Sequence, residues 1–469
     1  MRYGYRDDED MRSIPIKNLK IGISGIRGIV GDTLTPGLLT RFAQSFGTYI
    51  NGGTVVLGYD TRRSNEMAKH AVLAGLLSCG CSVVDVGICP APTVQLMVTK
   101  LRARGGIAIT ASHNPAEWNA LKFIREDGIF LNALQAQELL DIYHQGEFRK
   151  AGYKEIGRAI EEESANDIHI SEILRWIDPE KIRKRRFRVA IDCCNGAGSV
   201  ITPKLLEALG CEVIAINTDP TGIFPHHPEP APENLKGLCD EVLRSGADIG
   251  FAQDADADRL AIVSEEGKPI GEEYTLVIAS DFVLRRDPGP VVANIATTKA
   301  LDDLARRFGC RVIRTPVGEV NVAERMKREG AVVGGEGNGG VIVPKVHIGR
   351  DSLVAIAATL QHLSETNMTV SELVDSLPKY FMIKGKIECG PDTARKIMIE
   401  LEKMYKDENL DLMDGLKVER DLGWFHLRAS QTEPLMRISV EARTEEDAKA
   451  IWEEVMGKIG ELYPLSSAE

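Results

Sequence analysis

The alternation of apolar and polar residues along the chain predicts short buried strands that are separated by helices. Short apolar runs occur at 54–59, 106–109, 189–192 and 291–294. Longer segments such as 36–50 carry apolar residues at the spacing of an amphipathic helix. Strands that are apolar on both faces and alternate with helices are typical of right-handed βαβ units in largely parallel sheets.

The same pattern of strand and helix occurs three times. In each copy a strand and a helix lead to a Gly-Cys-x-Val segment that begins the next strand, at Gly80 to Val83, Gly210 to Val213 and Gly309 to Val312. Beyond Tyr380 the pattern changes to that of a smaller α+β segment. We therefore predict an α/β protein of three related mixed α/β domains plus a C-terminal α+β domain, with bounds at 1–160, 161–270, 271–382 and 383–469.

Composition narrows the class of protein. The 469 residues carry a formal net charge of −12, which argues against a nucleic-acid partner because no basic stripe is available to neutralise phosphates beyond local patches such as Lys181 to Arg188. The first ten residues lack the apolar core of a signal peptide, and the stretch from Ala71 to Val84 is too short and too glycine-broken to cross a bilayer. We expect a cytoplasmic protein with no membrane partner, whose nine cysteines are reduced and mostly buried.

A candidate nucleophile follows one of the buried strands. Ser112 lies in the segment Thr-Ala-Ser-His-Asn-Pro at 110–115, directly after the apolar run 106–109. Pro115 keeps this segment from continuing as a helix or a sheet, so we expect the Ser112 hydroxyl to be exposed to a cleft. Taken alone, the segment would also fit an ordinary surface turn with His113 on the outside.

The equivalent strand of the second copy is followed by three aspartates, Asp254, Asp256 and Asp258. In extended backbone alternate side chains share one face, where three unpaired carboxylates would repel one another by about 1 to 4 kcal/mol per pair. A divalent cation relieves this repulsion, and all-oxygen ligation with room for a phosphate suits Mg²⁺. An EF-hand does not fit, because Arg259 stands at the sixth position, where that motif has glycine.

Further candidate residues suggest a phosphorylated sugar as ligand. The third copy ends in a glycine-rich loop whose Glu336 and Asn338 suit sugar hydroxyls, although a flexible turn is the alternative. Arg27 is the single cation of a glycine-rich loop at 21–31, where backbone N–H groups can approach an anion closely. Near the C-terminus, one guanidinium and two hydroxyls converge in a turn, as a phosphate clamp requires: Arg428, Ser430 and Thr432.

These motifs together resemble those of the α-D-phosphohexomutase superfamily, which includes phosphoglucomutase, phosphomannomutase and phosphoglucosamine mutase. The resemblance spans nearly the whole chain. It includes the Ser-Gly-Ile-Arg-Gly loop at 24–28, the serine loop, Asn119, Lys122, the aspartate loop with Arg259, the loop at Glu336 and the Arg-x-Ser-x-Thr-Glu-Pro segment at 428–434. It implies a heart-shaped, four-domain isomerase that moves a phosphoryl group reversibly between C1 and C6 of a hexose phosphate.

The resemblance also implies a phosphoserine at Ser112, with Mg²⁺ held by that phosphate and by Asp254, Asp256 and Asp258. The expected partners are a hexose phosphate and a hexose 1,6-bisphosphate. Catalysis is expected from Ser112, His113, Arg27 and Lys122, with Lys122 favoured as proton acceptor because the pKa of arginine is too high. Substrate binding is expected from Arg259, Glu336, Asn338, Arg428, Ser430 and Thr432.

Two departures from the family pattern lead to further expectations. Ala255 and Ala257 stand where the family usually has glycine, so a left-handed backbone there would be strained. Asn338 and Gly340 stand where many bacterial members have serine and histidine, and this form resembles the archaeal type and favours a phosphoglucosamine mutase. A phosphoglucomutase/phosphomannomutase of broad specificity is the alternative. A phosphatase or a sugar-phosphate sensor is disfavoured because the clamp, the serine and the aspartates are all present. The sequence leaves open whether the protein forms a homo-oligomer.

Overall fold

The first domain contains a seven-stranded mixed sheet. The computed structural model describes residues 20–22, 25–430 and 435–463. The strands are β1 (Lys20–Gly22), β2 (Gly25–Ile29), β3 (Gly53–Tyr59), β4 (Cys81–Ile88), β5 (Gly105–Ile109), β6 (Trp118–Arg125) and β7 (Ala159–Glu161), in the order β1-β2-β6-β5-β3-β4-β7. The helices are α1 (Pro36–Tyr49), α2 (Asn65–Ser78), α3 (Ala91–Lys100) and α4 (Ala133–Gln145). Strand β6 runs antiparallel to both β5 and β2, whereas β5, β3, β4 and β7 are parallel.

The second domain has a four-stranded sheet in the order β11-β10-β8-β9. Its strands are β8 (Arg188–Asp192), β9 (Glu212–Ile216), β10 (Ile249–Gln253) and β11 (Leu260–Ser264). Its helices are α5 (Ala165–Trp176), α6 (Pro179–Arg185), α7 (Thr202–Ala208) and α8 (Lys236–Ser245), with short 3-10 helices at Ala197–Val200 and Pro232–Asn234. Only β11 is antiparallel to its neighbour in this sheet.

The third domain repeats this arrangement with a sheet in the order β13-β12-β14-β15. Its strands are β12 (Val291–Asn294), β13 (Val312–Thr315), β14 (Val333–Glu336) and β15 (Gly340–Ile342). Its helices are α9 (Glu272–Leu284), α10 (Ala300–Arg307), α11 (Glu319–Glu329), α12 (Ser352–Thr366) and α13 (Val370–Ser376).

The C-terminal domain has a five-stranded antiparallel sheet in the order β16-β20-β19-β18-β17. Its strands are β16 (Phe381–Glu388), β17 (Asn409–Asp411), β18 (Leu416–Glu419), β19 (Gly423–Ala429) and β20 (Leu435–Ala442), and its helices are α14 (Pro391–Met404) and α15 (Glu445–Leu462). The predicted class of three related mixed α/β domains and a smaller α+β domain is confirmed.

Local sequence signals explain several helix bounds. Helix α4 begins with a capping box between Asn132 and Gln135, and it ends where Gly146 adopts a left-handed conformation with a φ of 72°. Helix α12 is capped by Asp351, whose carboxylate accepts from the backbone N–H groups of Leu353 and Val354 in the first turn. None of the helices in the described ranges is long and apolar enough to cross a membrane.

The repeat places three loops in equivalent positions. In each of the first three sheets one parallel strand is followed directly along the chain by an antiparallel partner, and the connection between the two carries candidate chemistry. These connections join β5 to β6 with Ser112, β10 to β11 with the three aspartates, and β14 to β15 with Glu336. Strands β5, β10 and β14 are buried along their whole length, so each loop starts from a fixed point in a core. Six of the nine cysteines are buried, as predicted.

Candidate active site

Ser112 is held against the second domain in a left-handed backbone conformation, with a φ of 50°. Its N–H donates to Thr110 Oγ1 at 2.9 Å, and its hydroxyl donates to Asp254 Oδ2 at 2.7 Å. The expectation that this hydroxyl is exposed is wrong for this conformation, because Ser112 is only 3% exposed. Asp254, which accepts from the hydroxyl, lies 142 positions away in the chain. The sequence around Ser112 therefore does not indicate that the hydroxyl is buried.

Arg62 belongs to this site, although none of the sequence motifs reveals it. Arg62 is 2% exposed, and its guanidinium donates to three backbone carbonyls of the serine loop and to one at the start of β6. The donor–acceptor distances are 2.7 Å to Ser112, 2.6 Å to Asn114, 2.6 Å to Pro115 and 3.1 Å to Trp118. The sequence feature that could have indicated Arg62 was its spacing from Asp60, directly after β3. In the structure Arg62 Nε lies 3.1 Å from Asp60 Oδ2.

The three aspartates converge as predicted, but through a turn and not through extended backbone. One carboxylate oxygen from each lies within 4.8 Å of the other two. Ala257 has a left-handed φ of 53°, whereas Ala255 has no positive φ. Left-handed backbone costs an L-residue about 1–2 kcal/mol, so the strain expected here is present at one of the two alanines. Ser352 Oγ, at the start of α12, donates to Ala257 O at 2.6 Å and helps to hold the turn.

The electrostatics of this turn fit a cation. Burial, and then the charges of Asp258 and Asp256, raise the pKa of Asp254 well above its usual range. Burial acts in the same direction on Asp256, but the Lys122 ammonium 2.7 Å away outweighs it and lowers the pKa of Asp256. The Oδ1 atoms of Asp256 and Asp258 are buried and accept no hydrogen bond. Because buried carboxylate oxygens without partners are costly, this oxygen set suits a divalent metal ion.

Lys122 reaches the aspartates from β6 and is 5% exposed. Burial by itself lowers the pKa of Lys122, but Asp256 and Asp258, at 2.7 and 3.7 Å, outweigh burial and raise it. A protonated ammonium has no lone pair with which to accept a proton. The expected role of Lys122 as proton acceptor therefore disagrees with this arrangement, whereas a role in neutralising negative charge agrees with it.

His113 and two arginines lie at the serine loop. His113 Nδ1 lies 3.4 Å from Ser112 Oγ. Burial, followed by the charges of Arg259 and Arg27, lowers the pKa of His113 well below its usual range, so the ring is neutral. Arg27 donates from Nη1 to Asn114 Oδ1 in the serine loop. Arg259 Nε is buried without a hydrogen-bond partner, which leaves a donor available to an anionic or hydroxyl-bearing ligand.

Glu336 is fixed at the end of β14 by three donors. Its Oε1 accepts from Asn294 Nδ2 at 2.9 Å and from Gly318 N at 2.8 Å, and its Oε2 accepts from Arg350 Nη1 at 2.8 Å. Burial alone would raise the pKa of Glu336, but Arg350 and the hydrogen bonds outweigh burial and lower it. Glu336 is therefore ionised. Asn338 lies in the same turn, where its Oδ1 accepts from the backbone N–H two residues later at 3.3 Å.

Arg350 connects the second and third loops, and it too is absent from the sequence motifs. Its Nη2 lies 2.6 Å from Asp258 Oδ2 while its Nη1 binds Glu336. Its Nε lies 3.3 Å from Glu319 Oε2, although this contact lacks hydrogen-bond geometry. The only sequence signal is a basic residue directly before the helix cap Asp351. Arg350 therefore makes the second and third loops parts of one charged cluster.

The predicted phosphate clamp is described only in part. Arg428 lies at the end of β19, with its Nε 3.5 Å from Asp414 Oδ1. The other oxygen of Asp414 accepts from Val317 N of the third domain at 2.9 Å. Ser430 donates its backbone N–H to Leu435 O at 2.8 Å. Thr432, like the loop residue Ser24, lies outside the described residues. Asp414 thus connects the Arg428 strand to the segment that also contacts Glu336.

Models of known protein families match the three α/β domains in order. The phosphoglucomutase/phosphomannomutase alpha/beta/alpha domain I matches residues 18–150, domain II matches 167–267 and domain III matches 271–381. The three matches therefore cover the serine loop, the aspartate loop and the Glu336 loop respectively.

Individual relatives align over almost the full length. A probable phosphoglucosamine mutase of Methanopyrus kandleri is 39% identical over 92% of this chain and 96% of its own. A phosphoglucomutase/phosphomannomutase of Thermococcus kodakarensis is 40% identical over 91% of this chain and 95% of its own. Among solved structures, a phosphoglucomutase/phosphomannomutase family protein of Burkholderia thailandensis has a TM-score of 0.83 at 26% identity, covering 95% of this chain and 98% of that one. On these matches, and as the motifs predict, the chain belongs to the phosphoglucomutase/phosphomannomutase family.

Proposed function

We propose that this phosphohexomutase transfers its phosphoryl group through Ser112 and interconverts the 6-phosphate and the 1-phosphate of glucosamine. The supporting observation is the 2.7 Å hydrogen bond from the Ser112 hydroxyl to Asp254, which sets a nucleophile beside a three-carboxylate loop. Phospho-Ser112 donates its phosphoryl group to the free hydroxyl of the hexose phosphate. The resulting bisphosphosugar reorients, and its other phosphoryl group returns to Ser112.

Asp254, Asp256 and Asp258 would hold Mg²⁺ together with the phosphate on Ser112. Support comes from the all-oxygen donor set and from the two buried oxygens that accept no hydrogen bond. Hard oxygen ligands that leave room for a phosphate suit Mg²⁺ better than softer metals. When bound, the ion would neutralise part of the charge on the transferring group.

The basic residues of the first domain would stabilise the same charge. Phosphoryl transfer depends chiefly on positioning and on electrostatic stabilisation of the three equatorial oxygens. Lys122 carries a fixed positive charge beside the aspartates, and Arg27 is tied to the serine loop through Asn114. His113 is neutral and lies 3.4 Å from Ser112 Oγ, so it would serve as a hydrogen-bonding partner of that oxygen.

The remaining predicted residues would grip the substrate. Arg428, Ser430 and Thr432 would bind the phosphate that is not reacting, so that one site serves both orientations of the sugar. Glu336 has three donors already, and an ionised carboxylate has about four acceptor positions, so one position remains for a sugar hydroxyl or ammonium. Asn338 and the Nε of Arg259, which makes no hydrogen bond within the protein, would contribute further hydrogen bonds.

Glucosamine phosphate is the proposed preferred substrate among the hexose phosphates. An ionised Glu336 favours a protonated 2-amino group, and the Methanopyrus kandleri relative carries the corresponding name. The alternative is broad specificity, which the name of the Thermococcus kodakarensis relative favours. One hydroxyl or amine typically separates substrates by about 1–3 kcal/mol, so secondary activities should be measurable. A higher kcat/KM for glucose 1-phosphate or mannose 1-phosphate would reverse the substrate assignment and leave the mutase mechanism intact.

Ser112→Ala tests the covalent mechanism. We expect it to abolish isomerisation and to remove the protein-bound phosphate seen by intact-mass measurement, because no other hydroxyl occupies that position. Ser45→Ala is the matched control, since Ser45 is also fully buried but bonds only within helix α1. Normal turnover by Ser112→Ala would contradict the mechanism. Release of free phosphate at the rate of substrate consumption by the wild type would indicate a phosphatase instead.

A further inference from the structure

All five N–H groups of the Arg62 guanidinium are occupied by protein acceptors. A guanidinium has five N–H donors in a rigid plane. Nε donates to Asp60 Oδ2 at 3.1 Å, and the terminal nitrogens donate to the carbonyls of Ser112, Asn114, Pro115 and Trp118. No donor is left for a phosphate or a sugar, so Arg62 cannot be a substrate ligand in this arrangement.

The serine loop depends on these donors. The carbonyls of Ser112, Asn114, Pro115 and Trp118 face the same guanidinium and would repel one another without a cation. The loop also holds Ser112 at a φ of 50°, a conformation that L-residues adopt only when the surroundings enforce it. The planar fork of arginine matches several oxygens at once, which the point charge of lysine cannot do.

The Asp60 carboxylate extends this support to the other side of Ser112. It accepts from Arg62 Nε, and it also accepts from Thr110 Oγ1 at 2.7 Å. Thr110 Oγ1 in turn accepts from the Ser112 N–H at 2.9 Å. The Ser112 carbonyl is therefore bonded directly to the Asp60–Arg62 pair and its N–H is linked to the same pair through Thr110, which fixes the peptide groups on either side of the nucleophile.

The second domain covers the same guanidinium. The ring of Phe224 lies 4.8 Å from Arg62 Cζ, in a cation–π contact. Gly222 packs so closely that a Cβ there would lie 2.0 Å from the Thr61 carbonyl oxygen. Asp254, the partner of the Ser112 hydroxyl, belongs to this domain as well. The domain that carries the aspartates thus contacts both the Ser112 hydroxyl and the guanidinium that supports the serine loop.

We propose that Arg62 is a positioning residue, which holds the Ser112 loop in the conformation that aims its hydroxyl at the aspartate loop. This role rests on the proposed function of Ser112. Arg62→Lys keeps the charge but cannot serve four carbonyls, and a misplacement of about 1 Å can cost about 10²-fold in rate. We therefore expect kcat for the hexose 1-phosphate to fall about 10²-fold, with KM and the Mg²⁺ dependence close to the wild-type values.

Arg63→Lys is the matched control. Arg63 is the exposed neighbour of Arg62, so this substitution makes the same chemical change at the surface. A second variant, Arg62→Ala, is assayed with added guanidinium, which should restore part of kcat, and with added methylammonium, which should not. This rescue separates positioning from a general loss of stability, since a small planar cation at low concentration does not refold a damaged protein.

Ser112→Ala is measured in parallel to keep the two proposals distinguishable. A kcat of Arg62→Lys close to that of Arg63→Lys, with Ser112→Ala inactive, would overturn the positioning role alone. Failure of guanidinium to raise the kcat of Arg62→Ala above that obtained with methylammonium would overturn it as well. Full activity of Ser112→Ala would overturn the proposed function and the positioning role with it.

Discussion

Replacement of Asp256 by asparagine tests the proposed metal site most directly. The substitution keeps the shape of the side chain and removes one of three negative charges from a turn whose carboxylate oxygens lie within 4.8 Å of one another. Asp256 is fully buried, with one oxygen 2.7 Å from Lys122 Nζ and the other without a hydrogen-bond partner. The change therefore acts on a metal ligand and on an ion pair together.

The two effects have different magnitudes. At an effective dielectric constant of about 20, unit charges about 4 Å apart interact by about 4 kcal/mol, so losing one ligand charge should weaken cation binding about 10²- to 10³-fold. Removing one partner of a buried ion pair costs about 3–5 kcal/mol of stability. Asp258 remains 3.7 Å from Lys122 Nζ, so we expect a loss near the lower end of that range.

The assay is turnover as a function of Mg²⁺ concentration, with calorimetric titration of Mg²⁺ as a second measurement. We expect the half-saturating Mg²⁺ concentration to rise at least about 10²-fold. Asp281→Asn is the matched control: Asp281 is 1% exposed and accepts from His362 Nε2 at 2.7 Å, so its loss also breaks a buried pair. This control should lose stability and keep its Mg²⁺ dependence. An unchanged Mg²⁺ requirement in Asp256→Asn, or full wild-type activity in EDTA, would refute the reasoning.

Three further predictions concern the clamp, the C-terminal domain and the aspartate turn. Arg428→Lys should lower kcat/KM about 10- to 100-fold, since a point charge replaces a bidentate fork; equal kinetics would show that the clamp is misplaced. Burial lowers the pKa of Lys417 to about 8 from 10.5, so the wild type should gain about 3 kcal/mol of stability relative to Lys417→Met as pH rises from 7 through 10.5. Urea unfolding followed by tryptophan fluorescence measures this difference, and parallel pH profiles of the two proteins would contradict it. Ala257→Gly should be more stable than Ala255→Gly by about 1–2 kcal/mol, because only Ala257 is left-handed; equal urea midpoints would contradict the strain.

Much of the fold could be predicted from the sequence, because strand and helix periodicity are local properties of the chain. The repeated Gly-Cys-x-Val segment predicted three related domains, and the strand that precedes each candidate loop was visible as an apolar run. The equivalence of the Ser112, Asp254 and Glu336 loops followed from that repeat, since functional loops of open α/β sheets lie at the carboxyl ends of the strands. The types of residue in those loops then indicated phosphate, metal and sugar chemistry.

The contacts between the loops were decided only by tertiary structure. Arg62 and Arg350 lie outside every motif, yet one fixes the serine loop and the other joins Asp258 to Glu336. Periodicity reports which face of an element is buried, but it does not report which distant side chain meets that face. Basic residues of this kind therefore become recognisable only when the carbonyls and carboxylates around them are known.

The protonation of the site also depended on the assembled fold. Lys122 was a reasonable proton acceptor as an isolated residue, but Asp256 and Asp258 from another domain raise its pKa and keep it charged. The exposure expected for Ser112 failed for the same reason, because Asp254 covers a hydroxyl that local sequence predicts to be free. The sequence determined which chemical groups this protein has and on which strand ends they lie. Their charge, burial and orientation were decided by the packing of three domains, because electrostatic and steric effects depend on distance in space and not on distance along the chain.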